Sequence, residues 1–498
     1  MPEPRPIPIL RTGVPEFDVV LRGGLPRHRL HLVEGTPGAG KTTFALRFLL
    51  EGVAQGERCL YVTLSETAEE LTTSAASRGW SLEGIDLFEL VPSEAELESQ
   101  QTVLFPAEAE FGETMQAITG RIEATAPERV VIDSLSELRL LAQDPLPYRR
   151  QLLGLKRFLQ GRHITTVVLD DLTGSKGDGD LHSLVHGVVS LEQIERDYGA
   201  SRRRLRIAKM RGTDYQSGWH DFALTTDDIL VFPSLIAEEH KAPPDLGSVL
   251  SGITGLDELL GGGLDRGTTT ILVGPSGVGK SSVALRYAMA AVGMGEHAAY
   301  FSFDESYETL ARRAAALGLP VAEAITAGEL GWSRASPSRL SPGEFVWRVR
   351  REVEDRQARL VVIDSLNSYF GTMPEEQSLV LQMHELLTYL NNQGVATILI
   401  LAQQGVVGDV QNPVDLSFLS DTVVVLRFFE AAGEVRKAIS VIKKRTGVHE
   451  LAIREFSLFP HGMQVGPPLL ELRGVLTGVP TYVGPHEPLL RTRSNEAG

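Results

Sequence analysis

The sequence predicts an α/β protein made of two tandem copies of one domain, each a mostly parallel sheet flanked by helices. Three observations predict it. The stretch "GTPGAGKTT" (Gly35–Thr43) returns as "GPSGVGKSS" (Gly274–Ser282). The features around the two stretches recur in the same order. Within each copy, short β-rich apolar runs alternate with helical patterns, as parallel sheets require.

The repeat can be followed along the chain. "TGVPEFDVVLRGGLPRH" (Thr12–His28) precedes the first stretch, and "TGLDELLGGGLDRG" (Thr254–Gly267) precedes the second. Lys41 and Lys280 are 280 − 41 = 239 positions apart. "GERCLYVTLSET" (Gly56–Thr67) answers to "GEHAAYFSFDES" (Gly295–Ser306). "RVVIDSL" (Arg129–Leu135) answers to "LVVIDSL" (Leu360–Leu366), an offset of 364 − 133 = 231. "IAKMRG" (Ile207–Gly212) answers to "VIKKRTG" (Val441–Gly447), an offset of 443 − 209 = 234. A kept order with a slowly drifting offset marks duplication of a whole domain, and the period is far too long for a solenoid. The join is expected in the polar, proline-bearing "AEEHKAPPDLGS" (Ala237–Ser248). The expected domains are 1–240 and 241–466, followed by a tail, 467–498. In the second copy the expected strands are "TTTILVG", "AAYFSF", "LVVIDSL", "ATILILA", "DTVVVLRF" and "KAISVIKK". Ligands of such sheets sit at the carboxyl ends of the strands, and both glycine-rich stretches begin where a strand pattern ends.

Composition narrows the function. A chain of 498 residues with 42% hydrophobic residues can bury two or more sizeable cores. A formal charge of −16 supplies no global basic field for nucleic acid or acidic membranes. Cys59 is the only cysteine, which excludes an internal disulfide and fits a reducing cytosol. "MPEPRPIPIL" is too broken by proline for a signal peptide. "VATILILA" (Val395–Ala402) falls short of the roughly 18–20 apolar residues of a membrane helix. A cytoplasmic protein without a membrane anchor is expected.

Gly-x-x-x-x-Gly-Lys-Ser/Thr is a phosphate cradle. Its backbone N–H groups must point inward, and glycines permit the conformation and close approach this needs. The ATP-binding residues are then Gly35, Thr36, Gly38, Ala39, Gly40, Lys41, Thr42 and Thr43 in one copy. In the other they are Gly274, Ser276, Gly277, Val278, Gly279, Lys280, Ser281 and Ser282. Lys41 and Lys280 would reach the β- and γ-phosphates, and Thr42 and Ser281 would offer a hydroxyl to Mg²⁺. Asp133 and Asp364 end hydrophobic strands and would hold Mg²⁺ or its waters. Hydrolysis also needs a group that positions water. Ser65-Glu66 and Asp304-Glu305, at the ends of the strand patterns that follow the cradle helices, supply candidates; the plainer reading is that the acid caps the helix that follows. Gln403 and Gln404 end a strand pattern and are candidate γ-phosphate sensors or a plain strand-end loop; the first copy has Asp170 and Asp171 there, so the copies differ.

These residues resemble the KaiC family, a circadian-clock branch of the RecA-like ATPases, over roughly Ile9 to Pro467. The carriers are "TGLDELLGGGL", both cradles, "VVIDSL" twice, "SDTVVVLRF", the Lys-x-Arg ending each domain, and "AIREF" (Ala452–Phe456). The resemblance implies two RecA-like P-loop domains in a homohexamer of two stacked rings, with ATP at subunit interfaces. It implies that Lys209 and Arg211, and Lys443 and Arg445, reach a neighbour's phosphates. It implies adjacent catalytic glutamates; here Ser65 and Asp304 hold the first place, Glu66 and Glu305 the second. Serine cannot act as a strong base, so hydrolysis in the first domain is expected to be slow or to rely on Glu66. The family phosphorylates adjacent Ser and Thr in its second domain; Ser417 matches the serine and Phe418 replaces the threonine, with Ser420 nearby. A small KaiB-like protein is the partner the resemblance implies.

Two other functions compete. A RecA-like DNA recombination or helicase motor needs basic loops, and the one dense basic run is "SRRRLRIAKMR" (Ser201–Arg211). An ATP-dependent assembly switch with negligible catalysis would need only the cradles.

Overall fold

The computed structural model describes residues 7–90, 107–142, 145–172, 179–196, 199–243, 247–336, 338–371, 378–403, 419–431, 433–477 and 480–484. They fall into two compact units, Met1–Ser234 and Leu235–Gly498. Runs such as Thr269–Gly274 and Leu360–Asp364 are buried at every position. A strand apolar on both faces must be covered on both, so helices pack above and below the sheet.

In the first unit a nine-stranded sheet runs Ile229–Phe232, His220–Leu224, Arg202–Met210, Gly187–Ile194, Leu30–Gly35, Thr165–Asp171, Arg129–Asp133, Cys59–Thr63, Ile85–Glu89. The six strands from Gly187–Ile194 to Ile85–Glu89 are parallel, and the other three are antiparallel additions. Read from the opposite edge, the second unit repeats the order: Leu330–Arg334, Ala298–Ser302, Leu360–Asp364, Ala396–Ala402, Thr269–Gly274, Thr422–Ala431, Glu434–Lys444, Arg454–Phe459, Gly462–Pro468. All six strands expected from its sequence are present. Leu330–Arg334, Arg454–Phe459 and Gly462–Pro468 join them; they lie toward the edges, are partly exposed, and so lack a continuous apolar run.

Period-two alternation divides each sheet between two cores. In the second unit Leu272, Tyr300, Val362 and Ile398 face one core, while Ile271, Phe301, Val361 and Leu399 face the other. In the first unit Val33, Tyr61 and Val131 face one side and Leu32, Leu60 and Val130 the other. Leu235 and Ala237 pack into a core of the second unit. Val475 is buried against Phe429 and Ala438. Burial pushes the Cys59 thiol up to about 11, which keeps it unreactive. Among the described residues no helix is long and apolar enough to cross a membrane.

Candidate functional site

Each cradle joins a buried strand to a 14-residue helix that begins at the cradle lysine, Lys41–Ala54 and Lys280–Gly293. The residue before each lysine is glycine in the left-handed region, Gly40 at φ 105° and Gly279 at φ 116°. A side chain at Gly279 would also sit 2.8 Å from the Phe456 ring. Neither helix has a side-chain cap, so its first N–H groups and its positive end face the loop, as an anion requires.

Strand register brings the acidic residues to this end of the sheet. Thr63 lies opposite Asp133 and Gly35 opposite Asp171; Ser302 lies opposite Asp364 and Gly274 opposite Ala402. Thr42 Oγ1 donates to Asp133 Oδ2 at 3.1 Å, and the Tyr61 hydroxyl donates to the same oxygen at 2.6 Å. The Tyr300 hydroxyl donates to Asp364 Oδ2 at 2.6 Å, and Ser281 lines the same cleft as Asp364. Burial raises the pKa of Asp133, so its carboxylate is short of solvation that a cation could supply. Asp and hydroxyl oxygens are the donors a hard divalent cation takes. Among the described residues no group of three or more His, Cys, Asp or Glu gathers as a metal cluster.

The second cleft has a volume of about 760 Å³ and is lined by Lys280, Ser281, Asp304, Glu305, Arg313 and Asp364, among others. The adjacent acids divide there. Glu305 is bound to Arg313, Oε2 to Nη2, at 2.5 Å. Asp304 accepts from Ser365 Oγ at 3.0 Å and from Ser368 Oγ at 2.6 Å. Burial raises the pKa of Glu305, with Arg313 opposing, and burial also raises that of Glu66. The capping role is taken by other residues: the Thr67 and Ser306 side chains cap the following helices. Glu66 and Glu305 instead have their backbones fastened to the hydroxyls of Thr63 and Ser302.

The lysines differ. Lys280 Nζ donates to the Gly274 and Pro275 carbonyls at 2.8 Å, and burial lowers its pKa to about 8. Lys41 Nζ donates to Gly35 O at 3.1 Å and pairs with Asp171 Oδ1 at 2.5 Å. Asp170 turns away to Arg139. By register Asp171 matches Ala402, not Gln403, whose N–H bonds Gly274 O as Leu172 bonds Gly35 O.

The Lys-x-Arg pairs lie elsewhere. Lys209 stands opposite Val188, which pairs with Leu32, three residues before Gly35. Lys443 stands opposite Val423, which pairs with Ile271, three residues before Gly274. Both pairs thus sit toward the amino-terminal edge, away from their own cradle. Lys209 Nζ donates to the Val185 and His182 carbonyls, and Arg211 to Ser183 O at 3.2 Å. Lys443 donates to Ser420 O at 2.7 Å, and Arg445 Nη1 lies 3.6 Å from Asp421. Arg211 and Arg445 are exposed. The basic run before Lys209 is engaged internally: Arg202 with Asp221 at 2.8 Å, Arg204 with Glu192 at 2.7 Å, and Arg204 and Arg206 over the Trp219 ring.

Ser417 and Gln404 lie outside the described residues, and Ser420 is fully buried. Sequence reasoning missed Tyr61 and Tyr300, although 300 − 61 = 239 repeats the lysine offset. It missed the Lys41–Asp171 and Glu305–Arg313 pairs, which no local pattern announces.

Residues 10–236 and 249–469 each match the family described as KaiC ATPase. The circadian clock protein KaiC3 of Synechocystis sp. is 26% identical, covering 96% of this chain and 95% of that protein. The circadian clock oscillator protein KaiC of Parathermosynechococcus lividus is 28% identical, covering 97% of this chain and 90% of its own length. That of Synechococcus elongatus is 28% identical, covering 95% and 92%.

Proposed function

The chain belongs to the KaiC family of ATPases, and from that premise we propose a cytoplasmic, ATP-hydrolysing homohexamer with nucleotide held between subunits. The observation that carries this is the position of Lys209 with Arg211, and of Lys443 with Arg445, at the edge of the sheet away from their own cradle. A cationic fork there serves the phosphates of a neighbouring subunit, where it stabilises charge developing in transfer.

In each unit the cradle N–H groups and Lys41 or Lys280 bind the phosphates. Thr42 with Asp133, and Ser281 with Asp364, would hold Mg²⁺, which when bound neutralises phosphate charge. Asp304 positions the attacking water in the second unit, because Glu305 is occupied by Arg313. Ser65 puts no carboxylate at the matching place, so the first unit turns over slowly through Glu66 or acts as an assembly switch. A nucleic-acid motor draws no support from a basic run spent on internal pairs.

Mixing two inactive chains tests the arrangement. Lys41→Ala/Lys280→Ala removes the cradles and keeps the forks; Arg211→Ala/Arg445→Ala does the reverse. Phosphate release should reappear when the two are assembled together, and native mass should show six chains. Mixtures as inactive as their components would refute action between subunits.

Autophosphorylation at Ser417 is the further activity proposed for the second unit, limited to one site by Phe418. Intact mass after incubation with Mg-ATP should rise by one phosphate and stay unchanged in Ser417→Ala. An unmodified wild-type mass would leave hydrolysis and ring state as the signal, read by a small KaiB-like partner.

A further inference from the structure

We infer that Asp171 sets the nucleotide preference of the first cradle, holding Lys41 against the phosphates and favouring a nucleoside diphosphate over a triphosphate. This rests on the reading of the cradle as a nucleotide site.

The geometry is specific to one copy. Asp171 stands opposite Gly35, at the end of the sheet where the phosphates are cradled. One oxygen lies 2.5 Å from Lys41 Nζ. The other accepts from Ser136 Oγ at 3.3 Å, and Ser136 is 2.6 Å from Ser134 Oγ, beside Asp133. The carboxylate is held from two sides, and the lysine side chain is only 9% exposed. In the second unit the same register place is Ala402. Among the described residues no carboxylate forms an ion pair with Lys280, whose ammonium rests on two carbonyls. One chain therefore holds two cradles that differ at the cradle lysine by one carboxylate.

The cradle lysine serves the β- and γ-phosphates. A triphosphate entering the first unit must take Lys41 from Asp171, and the displaced carboxylate then faces the phosphates with like charge. The γ-phosphate adds the most charge beside it, so the triphosphate is penalised most. A diphosphate leaves Asp171 room to keep its ion pair. The missing carboxylate at Ser65 points the same way, toward a site that holds nucleotide more than it turns it over.

The test uses the full chain with Lys280→Ala, so that only the first cradle reports. Titration with the fluorescent nucleotides mant-ADP and mant-ATP, with Mg²⁺, should give mant-ADP about tenfold tighter. Adding Asp171→Asn should raise mant-ATP affinity about tenfold and mant-ADP affinity less, closing the gap. Asp171→Ala, which copies the second unit, should do the same. The converse change, Ala402→Asp in a Lys41→Ala chain, should weaken mant-ATP at the second cradle. An unchanged mant-ADP to mant-ATP ratio, or weaker mant-ATP binding in Asp171→Asn, overturns the assignment while leaving the cradle a nucleotide site. Failure of the Lys280→Ala chain to bind either nucleotide, with aspartate or asparagine at 171, overturns both.

Discussion

Asp304 and Glu305 are adjacent in the chain and separate in chemistry. Two serine hydroxyls hold Asp304 at the cleft, while Arg313 holds Glu305. Asp304→Asn should slow phosphate release about 100-fold or more, the scale of losing a general base. Glu305→Gln should cost much less, and Michaelis–Menten measurements on both would expose a reversed assignment. Lys280 carries a second prediction. Its pKa is lowered to about 8 by burial, and a bound phosphate would raise it. Nucleotide affinity of the second cradle should therefore be flat below about pH 8 and fall above it, in a Lys41→Ala chain; a flat profile to pH 10 contradicts this. His31 gives a third. Burial lowers its pKa to about 4, against about 6.5 unfolded. The unfolded chain then binds more protons between these values, so stability of the first unit should fall as pH drops from about 6.5 to about 4. His31→Gln should make that slope of melting temperature against pH shallower. Asp304, Glu305 and the cradle lysines were legible in type and place, but their pairings were not, since a partner such as Arg313 or Asp171 is supplied by folding; His31 carried no signal in the sequence.

The cradles were the most legible elements. Glycine at the turn before each lysine is required by a backbone in the left-handed region. Gly279→Ala should cost about 1–3 kcal/mol from that strain, added to the clash with Phe456. A melting curve showing a shift of several degrees, with weakened nucleotide binding, is the expected result; an unshifted curve would mean the loop relaxes freely. The interior strands were legible because burial on both faces demands continuous Val, Ile and Leu. The outer strands were not: Leu330–Arg334 is buried at only two of its positions and reads as a polar loop. The Thr63 and Ser302 anchors of the acidic turn were equally hidden, because any Ser or Thr ending a strand looks the same in sequence.

Across the whole molecule, duplication followed by divergence gives two sites of one design and different lining. Lys280→Ala should remove most steady-state phosphate release, and Lys41→Ala little of it, because only the second cleft holds a serine-braced Asp304. Equal losses in a phosphate-release assay would end the division of duties. The Lys-x-Arg pairs belong to this scale too: in the proposed ring they would act only where a second chain brings a cradle to them.

The sequence alone determined the duplication, the α/β class, the strand-to-cradle-to-helix order and the chemistry of phosphate binding. These follow from local rules: glycine conformation, lysine charge, and the periodicity of apolar residues. Tertiary structure alone decided that Glu305 meets Arg313 while Asp304 meets two serines, and that Asp171 meets Lys41. It also decided that each cationic fork faces away from its own cradle. Those outcomes depend on register between strands distant in sequence, where a one-residue slip moves every side chain to the other face.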